Sequence, residues 1–548
     1  MTDPRSSPLP EVVDVVVVGS GSAALAAALK AAVAGLQVLI LEKSPWLGGT
    51  SAMSGAGTWI PANHHMLAAG LDDDAQQAGE YLLAASPPGW EQERPLLQAF
   101  ADAAAPTLLF LEQYTPLRFE IIPEPDPFTE LPGGKPYGRM LSPKPLSRRL
   151  LGAWKGKLRA STLPHRFSYG DNFRHDLYHD PVRSGIALAP TLIRRLARDE
   201  WGQGSALIIG LLKGCLDQGC QVFTEAPAVR LCQDESGRIS AVEVEHRGGL
   251  QQVVARRGVV LATGGFEWDT QRLQTHFPGP GGLLGSPRSN SGDGQRMAEA
   301  VGARLARMDQ ANIYPVLPTR YEGQLHGLPI TFQATAHAIV VNARAERFCS
   351  EYDFNLGEAL DRRDPLTGTA VNLPAWLIGD SRFLQSSPAL RWYGAKDPNW
   401  LVRAPTLSAL AERIGLDPAA LTATVARWNG FCAAGRDADF QRGESTWERY
   451  KSGWAAGEPR NPALGALERG GFVAVSFNRS ILGTKGGPQT NTRGQVLRED
   501  GSPIPGLYCA GVAMANPIGT RAVGPGTTIG PCLTWGYICA QALSESLG

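Results

Sequence analysis

The sequence lacks any long apolar run, any excess of charge of one sign and any paired cysteine motif. No stretch of 18 consecutive apolar residues occurs, so a membrane-spanning helix is not expected. The 52 basic and 52 acidic residues balance, which predicts no general attraction to nucleic acid. The eight cysteines are scattered without CxxC or Cys/His spacing, which predicts reduced thiols and no metal site.

The N-terminal stretch also lacks the signals that would send a chain out of the cell. Residues 1–14 contain acids and prolines but not the apolar core of a secretory signal. A cytoplasmic location is therefore the expectation. The length of 548 residues is enough for two or three domains with a large core.

The strongest pattern lies between residues 15 and 57. An apolar run ends in a glycine turn, a small-residue helix follows, and a second apolar run leads to an acid. Such a turn lets a diphosphate approach the backbone, and the helix N-terminus offers free N–H groups to it. The acid can accept hydrogen bonds from ribose hydroxyls. The pattern predicts a dinucleotide site that uses Gly19, Gly21, Ser22, Ala23, Ala24 and Glu42.

The segments after this unit favour FAD over NAD as the dinucleotide. A glycine pair shortly after Glu42 can bring a second backbone loop to the diphosphate, and the hydroxyl-rich segment that follows can pass along a flat ring system. Two later apolar runs, 258–266 and 506–511, also end in glycine-rich turns. The further residues predicted to contact FAD are Lys43, Gly48, Gly49, Thr50, Ser51, Ser54, Gly55, Gly57, Ala262, Thr263, Gly264 and Gly511.

Together these elements resemble the flavoprotein superfamily of fumarate reductases and 3-ketosteroid dehydrogenases. The motifs at 57–63, 482–487 and 524–531 are similar to the 3-ketosteroid Δ1-dehydrogenase branch. The resemblance implies an α/β fold, with a Rossmann-like FAD-binding domain of the glutathione reductase type and an inserted α+β catalytic, or cap, domain. It adds four residues to the expected FAD contacts: Val229, Gly526, Thr528 and Ile529.

The expected domain boundaries follow from this organisation. We expect the FAD-binding domain in residues 1–303 and 475–548, with a helical, basic excursion near 112–185, and the cap domain in residues 304–474. FAD is expected to be bound non-covalently. In fumarate reductase complexes a histidine shortly after the second glycine motif attaches the flavin, and here those positions hold Ala52, Met53 and Ser54.

The catalytic residues depart from those of the resembling family. Ketosteroid desaturases use tyrosines to move the proton and bind the ketone, whereas fumarate reductases use arginines. The matching positions here hold Asn355 and Ala522, and the third tyrosine is missing near 127–128. Gly526 matches the glycine whose amide polarises the ketone. Arg521, beside Ala522, suits a carboxylate or an enolate oxygen, the alternative being a salt bridge within the cap domain.

Three tyrosines and a histidine of the same domain could replace the missing proton carrier. Tyr352 lies three residues before Asn355 and is the first candidate, His337 is the second, and the others are Tyr314 and Tyr321. The alternative for each is a packed or hydrogen-bonded structural role. The predicted catalytic set is Tyr352, Arg521, Gly526, Asn355 and His337.

The predicted function is an FAD-dependent dehydrogenase, or desaturase, that introduces a C=C bond α,β to a ketone. The expected substrate is a small cyclic ketone, either ketosteroid-like or an oxocycloalkane carboxylate, with the hydride passing to flavin N5. A quinone, O₂ or an electron-transfer protein would then accept the electrons. The alternatives are an enoate or enone reductase of the fumarate reductase type, a flavin oxidase or hydroxylase, and a non-enzymatic flavin-binding protein.

A locally basic segment, residues 139–175, has two interpretations. Its arginines and lysines alternate with large apolar residues such as Leu150 and Trp154. The first interpretation is a solvated helical arm or a subunit contact. The second is a peripheral membrane patch through which an apolar substrate enters.

Overall fold

The structure is a computed structural model that describes residues 8–175, 177, 180–397, 399–455 and 457–545. Residues 1–7, which form half of the N-terminal stretch predicted to lack a secretory signal, lie outside the described residues, as do residues 546–548.

The secondary structure alternates between short strands and helices along the whole chain. The helices are α1 (Ser22–Val33), α2 (Gly49–Met53), α3 (His64–Ala68), α4 (Ala75–Ala85), α5 (Arg94–Tyr114), α6 (Tyr169–Arg174), α7 (Pro181–Arg198), α8 (Gln203–Asp217), α9 (Thr270–His276), α10 (Asp293–Ala300), α11 (Leu356–Leu360), α12 (Ser381–Ser386), α13 (Pro388–Gly394), α14 (Leu407–Ile414), α15 (Pro418–Ala434), α16 (Thr446–Ser452) and α17 (Ile529–Glu545). The strands are β1 (Val12–Val18), β2 (Val38–Leu41), β3 (Thr58–Trp59), β4 (Phe119–Ile121), β5 (Met140–Pro143), β6 (Leu146–Ser147), β7 (Glu200–Trp201), β8 (Gln221–Phe223), β9 (Ala228–Gln233), β10 (Ile239–His246), β11 (Gly249–Leu261), β12 (Leu305–Ala306), β13 (Ala311–Ile313), β14 (Val316–Tyr321), β15 (Gln324–Pro329), β16 (Ala338–Val341), β17 (Trp376–Gly379), β18 (Leu401–Ala404), β19 (Phe472–Ser476), β20 (Ile481–Thr484), β21 (Gly487–Pro488), β22 (Gln495–Leu497) and β23 (Pro503–Cys509).

The largest sheet has the strand order β22-β23-β11-β1-β2-β8, with β10 and β9 added beside β11. Its centre is parallel, because β1 pairs in parallel with both β11 and β2, and β11 with β23. The apolar run of β1 is buried, as expected for a parallel strand covered on both faces. This arrangement confirms the predicted α/β dinucleotide-binding architecture.

Helices α1 and α17 pack against strands of this sheet and against each other, and α1 also packs against α8. The approach of α1 to α17 is close: a Cβ atom on Gly536 would lie 2.2 Å from the carbonyl oxygen of Ala23. The small residues of α1, which are almost all buried, allow this contact. The middle of α17 is therefore packed against the first βαβ unit.

A second sheet forms the core of the inserted region. It is antiparallel, with the order β16-β17-β19-β18, and has its own buried clusters, which include residues of α14 and α15. Strand β19 crosses the expected boundary at 474 and pairs with both β17 and β18, so the whole strand belongs to this sheet. The other domain boundaries stay predictions.

The basic segment 139–175 is less helical than expected. It contains strands β5 and β6, a 3₁₀ segment (Arg148–Lys157) with a kink at Gly152, and the short helix α6. Across the described part of the chain, no helix has both the length and the apolar content needed to cross a bilayer.

Candidate active site

The turn between β1 and α1 forms one wall of a deep cleft. Gly19 has φ +111°, and a Cβ atom there would lie 2.3 Å from the carbonyl oxygen of Ala262, so only glycine fits. Ser20 Oγ donates to Glu42 Oε2 over 2.5 Å, and the Ser44 N–H donates to Glu42 Oε1 over 2.8 Å. The acid at the end of β2 is thus held in a fixed orientation beside the cleft.

A distant segment closes the other side of the cleft. Lys43 forms an ion pair with Asp293, and its Nζ donates to Ser291 Oγ over 2.7 Å. Nearby, Asn290 donates to Thr50 Oγ1 over 2.9 Å. These bonds join the first βαβ unit to the start of α10, about 250 residues later.

The cleft gathers most of the residues predicted to contact FAD. Those lining it are Gly19, Gly21, Ser22, Ala23, Glu42, Lys43, Gly49, Thr50, Ser51, Ala262, Thr263, Gly264 and Gly511. The resemblance also placed the backbone near Ala228 and Val229 at the adenine, and Ala228 lines the cleft. Sequence reasoning missed other lining residues, among them Ser20, Ser289, Asn290, Asp293 and Cys532. Ser20 could have been found, since it lies inside the glycine turn. For Asn290 and Asp293 the only sequence signal is the glycine-containing turn in which they lie.

The remaining predicted contacts lie outside this lining. Ala24 is buried inside the α1 packing, and Gly48 precedes α2 with its N–H donating to Ser20 Oγ. The side chain of Val229 is 43% exposed, and its neighbour Ala228 lines the cleft instead. The others outside the lining are Ser54, Gly55, Gly57, Gly526, Thr528 and Ile529.

The cleft fits FAD by its own chemistry. Helix α1 has no side-chain cap at Gly21. The Ser22 N–H donates to Ser51 Oγ over 3.1 Å, whereas the N–H groups of Ala23 and Ala24 have no acceptor among the described residues and are available to a diphosphate. A Cβ atom on Gly21 would meet only Ser51 Oγ, at 3.6 Å, so the backbone borders open space. Thr263 Oγ1 is buried and has no hydrogen-bond partner among the described residues, which leaves a polar atom for a ligand. Glu42 supplies the carboxylate for ribose hydroxyls.

Two glycines that follow α2, Gly55 and Gly57, form what we call the glycine strip, and Gly57 contacts the C-terminal segment. Gly526 has φ +89°, and a Cβ atom on it would lie 2.6 Å from the carbonyl carbon of Gly57 and the nitrogen of Thr58. The Trp59 N–H donates to the Gly526 carbonyl over 3.2 Å. Gly526 is half-buried, and no described residue accepts a hydrogen bond from its own N–H. This backbone N–H is thus a free donor beside the strip.

Asn355 is bound to the segment that carries Arg521. Its Nδ2 donates to the Ala522 carbonyl over 2.9 Å, and its Oδ1 accepts from the Ala522 N–H over 2.8 Å. The side chain is buried, at 7% exposure. Both polar ends of the amide are used, so Asn355 connects two backbone segments. Its catalytic assignment stays a prediction, with positioning as the role that these bonds support.

Arg521 lies between this connection and two acids of the cap region. Its Nε donates to Glu358 Oε2 over 2.7 Å, which is the salt bridge that the sequence offered as the alternative. Within the described chain the other two guanidinium nitrogens bind no side chain or carbonyl. Burial raises the pKa of Glu358 against the lowering effect of Arg521, and burial also raises the pKa of the nearby Asp353. Asp353 is nonetheless open to solvent.

The first two proton-carrier candidates lie within cap packing. The ring of Tyr352 is buried, and the Arg442 guanidinium lies 4.9 Å from its centroid. Burial raises the pKa of Tyr352. His337 Nδ1 lies 2.9 Å from the Ala466 carbonyl oxygen, in the same region. Both catalytic roles stay predictions.

A tyrosine that sequence reasoning missed lies directly on the glycine strip. A Cβ atom on Gly55 would be 3.4 Å from Tyr169 Cδ2. Tyr169 Oη donates to Glu124 Oε2 over 3.1 Å, and the other oxygen of Glu124 accepts from Tyr450 Oη over 3.3 Å and from Lys451 Nζ over 3.2 Å. Burial, and then the Glu124 carboxylate, raise the pKa of Tyr169. No sequence motif links these residues, because three distant segments contribute them.

A second feature absent from the sequence predictions is a pair of histidines that share a carboxylate. His64 Nε2 and His65 Nε2 lie 2.7 Å and 3.1 Å from the two oxygens of Glu112. These side chains are of metal-ligating type and lie close enough to share an ion. The carboxylate already bonds both rings and also accepts the Phe119 N–H over 2.8 Å.

Comparison with known proteins agrees with this geometry. Residues 14–529 match the FAD binding domain family. The chain is 34% identical to the 4-oxocyclohexanecarboxylate 2-dehydrogenase of Sinomonas cyclohexanicum, over 97% of this chain and 92% of that protein. It is 35% identical to the 3-oxosteroid 1-dehydrogenase of Mycobacterium tuberculosis (strain ATCC 25618 / H37Rv), over 98% of this chain and 99% of that protein.

Solved structures show the same fold. The 3-ketosteroid Δ1-dehydrogenase of Sterolibacterium denitrificans, in complex with 1,4-androstadiene-3,17-dione, superposes with a TM-score of 0.87 at 30% identity, covering 98% of this chain and 100% of that one. A flavocytochrome c3 fumarate reductase shares the fold, with a TM-score of 0.64 at 21% identity, covering 98% of this chain and 78% of that one. With these matches over nearly its full length, the chain belongs to the FAD binding domain family, its relatives at 30% identity or more are dehydrogenases of cyclic ketones, and it is an FAD-dependent oxidoreductase.

Proposed function

We propose that the protein is a dehydrogenase that introduces a C=C bond next to the ketone of a cyclic substrate. The observation that carries the proposal is the free N–H of Gly526, held against the glycine strip at Gly57. A fixed backbone donor of this kind stabilises the enolate oxygen that develops when the neighbouring carbon loses its proton. The similar dehydrogenases are named for an oxocyclohexanecarboxylate and for 3-oxosteroids, which are cyclic ketones.

The cleft residues would hold FAD with Glu42 at the ribose and the start of α1 at the diphosphate. We propose that this binding is non-covalent, because Ala52, Met53 and Ser54 follow the second glycine loop. FAD, when bound, supplies the acceptor for the hydride removed from the substrate. The electron acceptor that follows, and the cytoplasmic location, stay predictions from the sequence.

We assign removal of the substrate proton to Tyr169 and Glu124. The C–H proton next to the ketone passes to Tyr169 Oη, while the hydroxyl proton of Tyr169 passes to Glu124 Oε2, 3.1 Å away. Glu124 is needed because the raised pKa of Tyr169 keeps its phenol protonated near neutral pH, so the phenol must give up its own proton as it accepts another. Lys451 and Tyr450 hold the other oxygen of Glu124, which fixes the carboxylate for this transfer. Tyr352 is the competing candidate.

Arg521 would bind a carboxylate on the substrate ring. Its two free guanidinium nitrogens can form a forked contact, whereas Nε is already used by Glu358. A keto acid would therefore bind to this guanidinium better than a neutral ketone. Asn355 holds Ala522, the next residue, and thereby positions Arg521.

The test is anaerobic bleaching of the oxidised flavin band by saturated cyclic ketones with and without carboxylates. Bleaching with formation of an enone supports the proposal, and preference for keto acids supports the role of Arg521. If no ketone bleaches the flavin, but an enone or enoate reoxidises the dithionite-reduced protein, the proposal is overturned in favour of a reductase.

A further inference from the structure

We propose that helix α7 (Pro181–Arg198) docks the protein onto an anionic phospholipid surface. The helix has an apolar face that the rest of the molecule leaves uncovered. Val182, Ile186, Ile193 and Leu196 follow one another at helical spacing on this face, and each is at least 59% exposed. We call these four residues the outer face. This inference does not depend on the proposed function.

The opposite face of α7 is the one that packs against the protein, and it is more polar. Ser184, Leu188 and Arg195 are each 5% exposed or less. Arg195 forms an ion pair with Asp171 of α6 and donates to the Arg166 carbonyl over 2.8 Å. A surface helix normally turns its apolar stripe inward. Here the orientation is reversed and fixed by Arg195, so the exposure of the outer face is built into the fold.

The charges around the outer face indicate what kind of surface binds there. No Asp or Glu occurs between 181 and 198, whereas Arg183, Arg194 and Arg198 are exposed along the helix. The ion pairs of Arg194 and Arg198 with Glu200 are long, at 3.9 Å and 3.8 Å, and leave most of their charge to solvent. Apolar residues flanked by arginines match the headgroup and acyl boundary of an anionic bilayer. A second copy docked α7 to α7 would bring these arginines against one another, which disfavours that occupant.

The surface extends to the neighbouring basic segment. Arg149 donates to the Ala197 carbonyl over 2.8 Å, which places the exposed Leu150 next to the C-terminal end of α7. The sequence assigned the membrane patch to residues 139–175. The main membrane-binding element proposed here, α7, lies outside that segment. Through Arg195 and Asp171 the docking helix is tied to α6, whose first residue, Tyr169, borders the glycine strip. A bilayer-dissolved ketone would be released close to the site.

The experiment is co-sedimentation of the holoenzyme with phosphatidylcholine vesicles, with and without phosphatidylglycerol. We expect binding to the anionic vesicles that weakens with added salt. The variant I186S/I193S is expected to bind about tenfold less or weaker still, because two apolar anchors are removed. The matched control is L250S/L366S, which changes two leucines that are 66% and 94% exposed elsewhere. Flavin absorbance and thermal unfolding of each variant confirm that it is folded.

Three results would overturn the proposal. The first is no binding of the folded wild-type holoenzyme to either vesicle. The second is equal loss of binding in the control variant. The third is sedimentation equilibrium showing a wild-type dimer that I186S/I193S dissociates, because a second copy would then cover the outer face.

Discussion

Two hydrogen bonds join the side-chain amide of Asn355 to the backbone of Ala522, 167 residues later in the chain. The bonds use both ends of the amide and both the N–H and the carbonyl of Ala522. This contact joins the start of α11 to the segment between β23 and α17. These are the two positions at which the resemblance predicts the tyrosines of the desaturases. The sequence predicted only that those tyrosines are missing, whereas the structure shows that Asn355 and Ala522 bind each other.

Replacing Asn355 by alanine leaves the polar groups of Ala522 without partners. We expect a loss of about 1–3 kcal/mol in the free energy of unfolding, the usual cost of unpaired buried polar groups. The KM for the ketone should also rise, because Arg521 loses its support. The matched control is N372A, which removes a single 2.8 Å bond to the Ala359 carbonyl. An unchanged KM in N355A would contradict the positioning role.

Replacing Tyr169 by phenylalanine removes the proposed proton acceptor and keeps the ring on Gly55. We expect kcat to fall about 10²–10⁴-fold, the usual contribution of a positioned acid or base, while FAD stays bound. The measurement is the anaerobic rate of flavin bleaching by a substrate ketone. The comparison variant is Y352F. A large loss of rate in Y352F with a normal rate in Y169F would show that Tyr352, and not Tyr169, accepts the proton.

The ion pair of Arg521 and Glu358 controls which substrates bind. Removing the acid charge in E358Q should lower the KM for keto acids, because Arg521 then keeps its full charge for the substrate. R521A should raise the same KM about tenfold or more, the cost of a charged hydrogen bond. Steady-state kinetics with a keto acid and with its uncharged amide separate the two effects. Equal changes for both substrates would show that Arg521 does not bind the carboxylate.

Ser20 controls the affinity for FAD through Glu42. In S20A the carboxylate loses its 2.5 Å bond and the Gly48 N–H loses its acceptor. We expect the Kd for FAD to rise about fivefold, which corresponds to about 1 kcal/mol for one hydrogen bond. Titration of the apoprotein, followed by quenching of flavin fluorescence, measures this change. S236A, in an exposed turn, is the control and should bind FAD as the wild type does.

His165 makes stability depend on pH. Burial lowers its pKa to about 4, from an ordinary value of 6.5. Between these two values the unfolded state binds more protons than the folded state, so stability falls as the pH drops from 6.5 to 4. The full loss is about 3 kcal/mol, from 1.4 kcal/mol per pKa unit.

The measurement for His165 is urea unfolding at several pH values, compared with H165Q. The difference in unfolding free energy between the two proteins should shift in favour of H165Q as the pH falls through this window. A difference that stays constant between pH 6.5 and 4 would contradict the lowered pKa of His165.

The sequence predicted those parts of the site that are local in the chain. The turn at Gly19 and Gly21 and the acid Glu42 belong to one βαβ unit, so strand period, glycine spacing and a single acid define them. The glycine-rich end of β11 was found for the same reason. The confirmed α/β fold and FAD-binding family rest on these segments.

The sequence could not predict contacts between side chains that are distant in the chain. Tyr169, Glu124 and Lys451 come from three loops or short helices without any shared motif, and their meeting depends on how the cap packs on the FAD-binding region. The sequence identified Arg521 as a candidate, but it did not decide between substrate binding and a salt bridge, and it did not identify Glu358 as the partner. The reversed orientation of α7 was also invisible, because an amphipathic pattern does not say which face is turned inward.

The pairing of β23 with β11 has a consequence for biosynthesis. The two strands are separated in sequence by the entire cap region, yet they are neighbours in the central parallel sheet. A nascent chain on the ribosome can form β1, β2, α1, β10 and β11, but it lacks β23 until residue 509 has emerged. Until then residues 259–261 of β11 have no strand on the side away from β1, and parallel pairing over such a separation is slow to form. The protein therefore depends on late, post-synthetic closure of its sheet, and a chain shortened before β23 would expose an aggregation-prone edge.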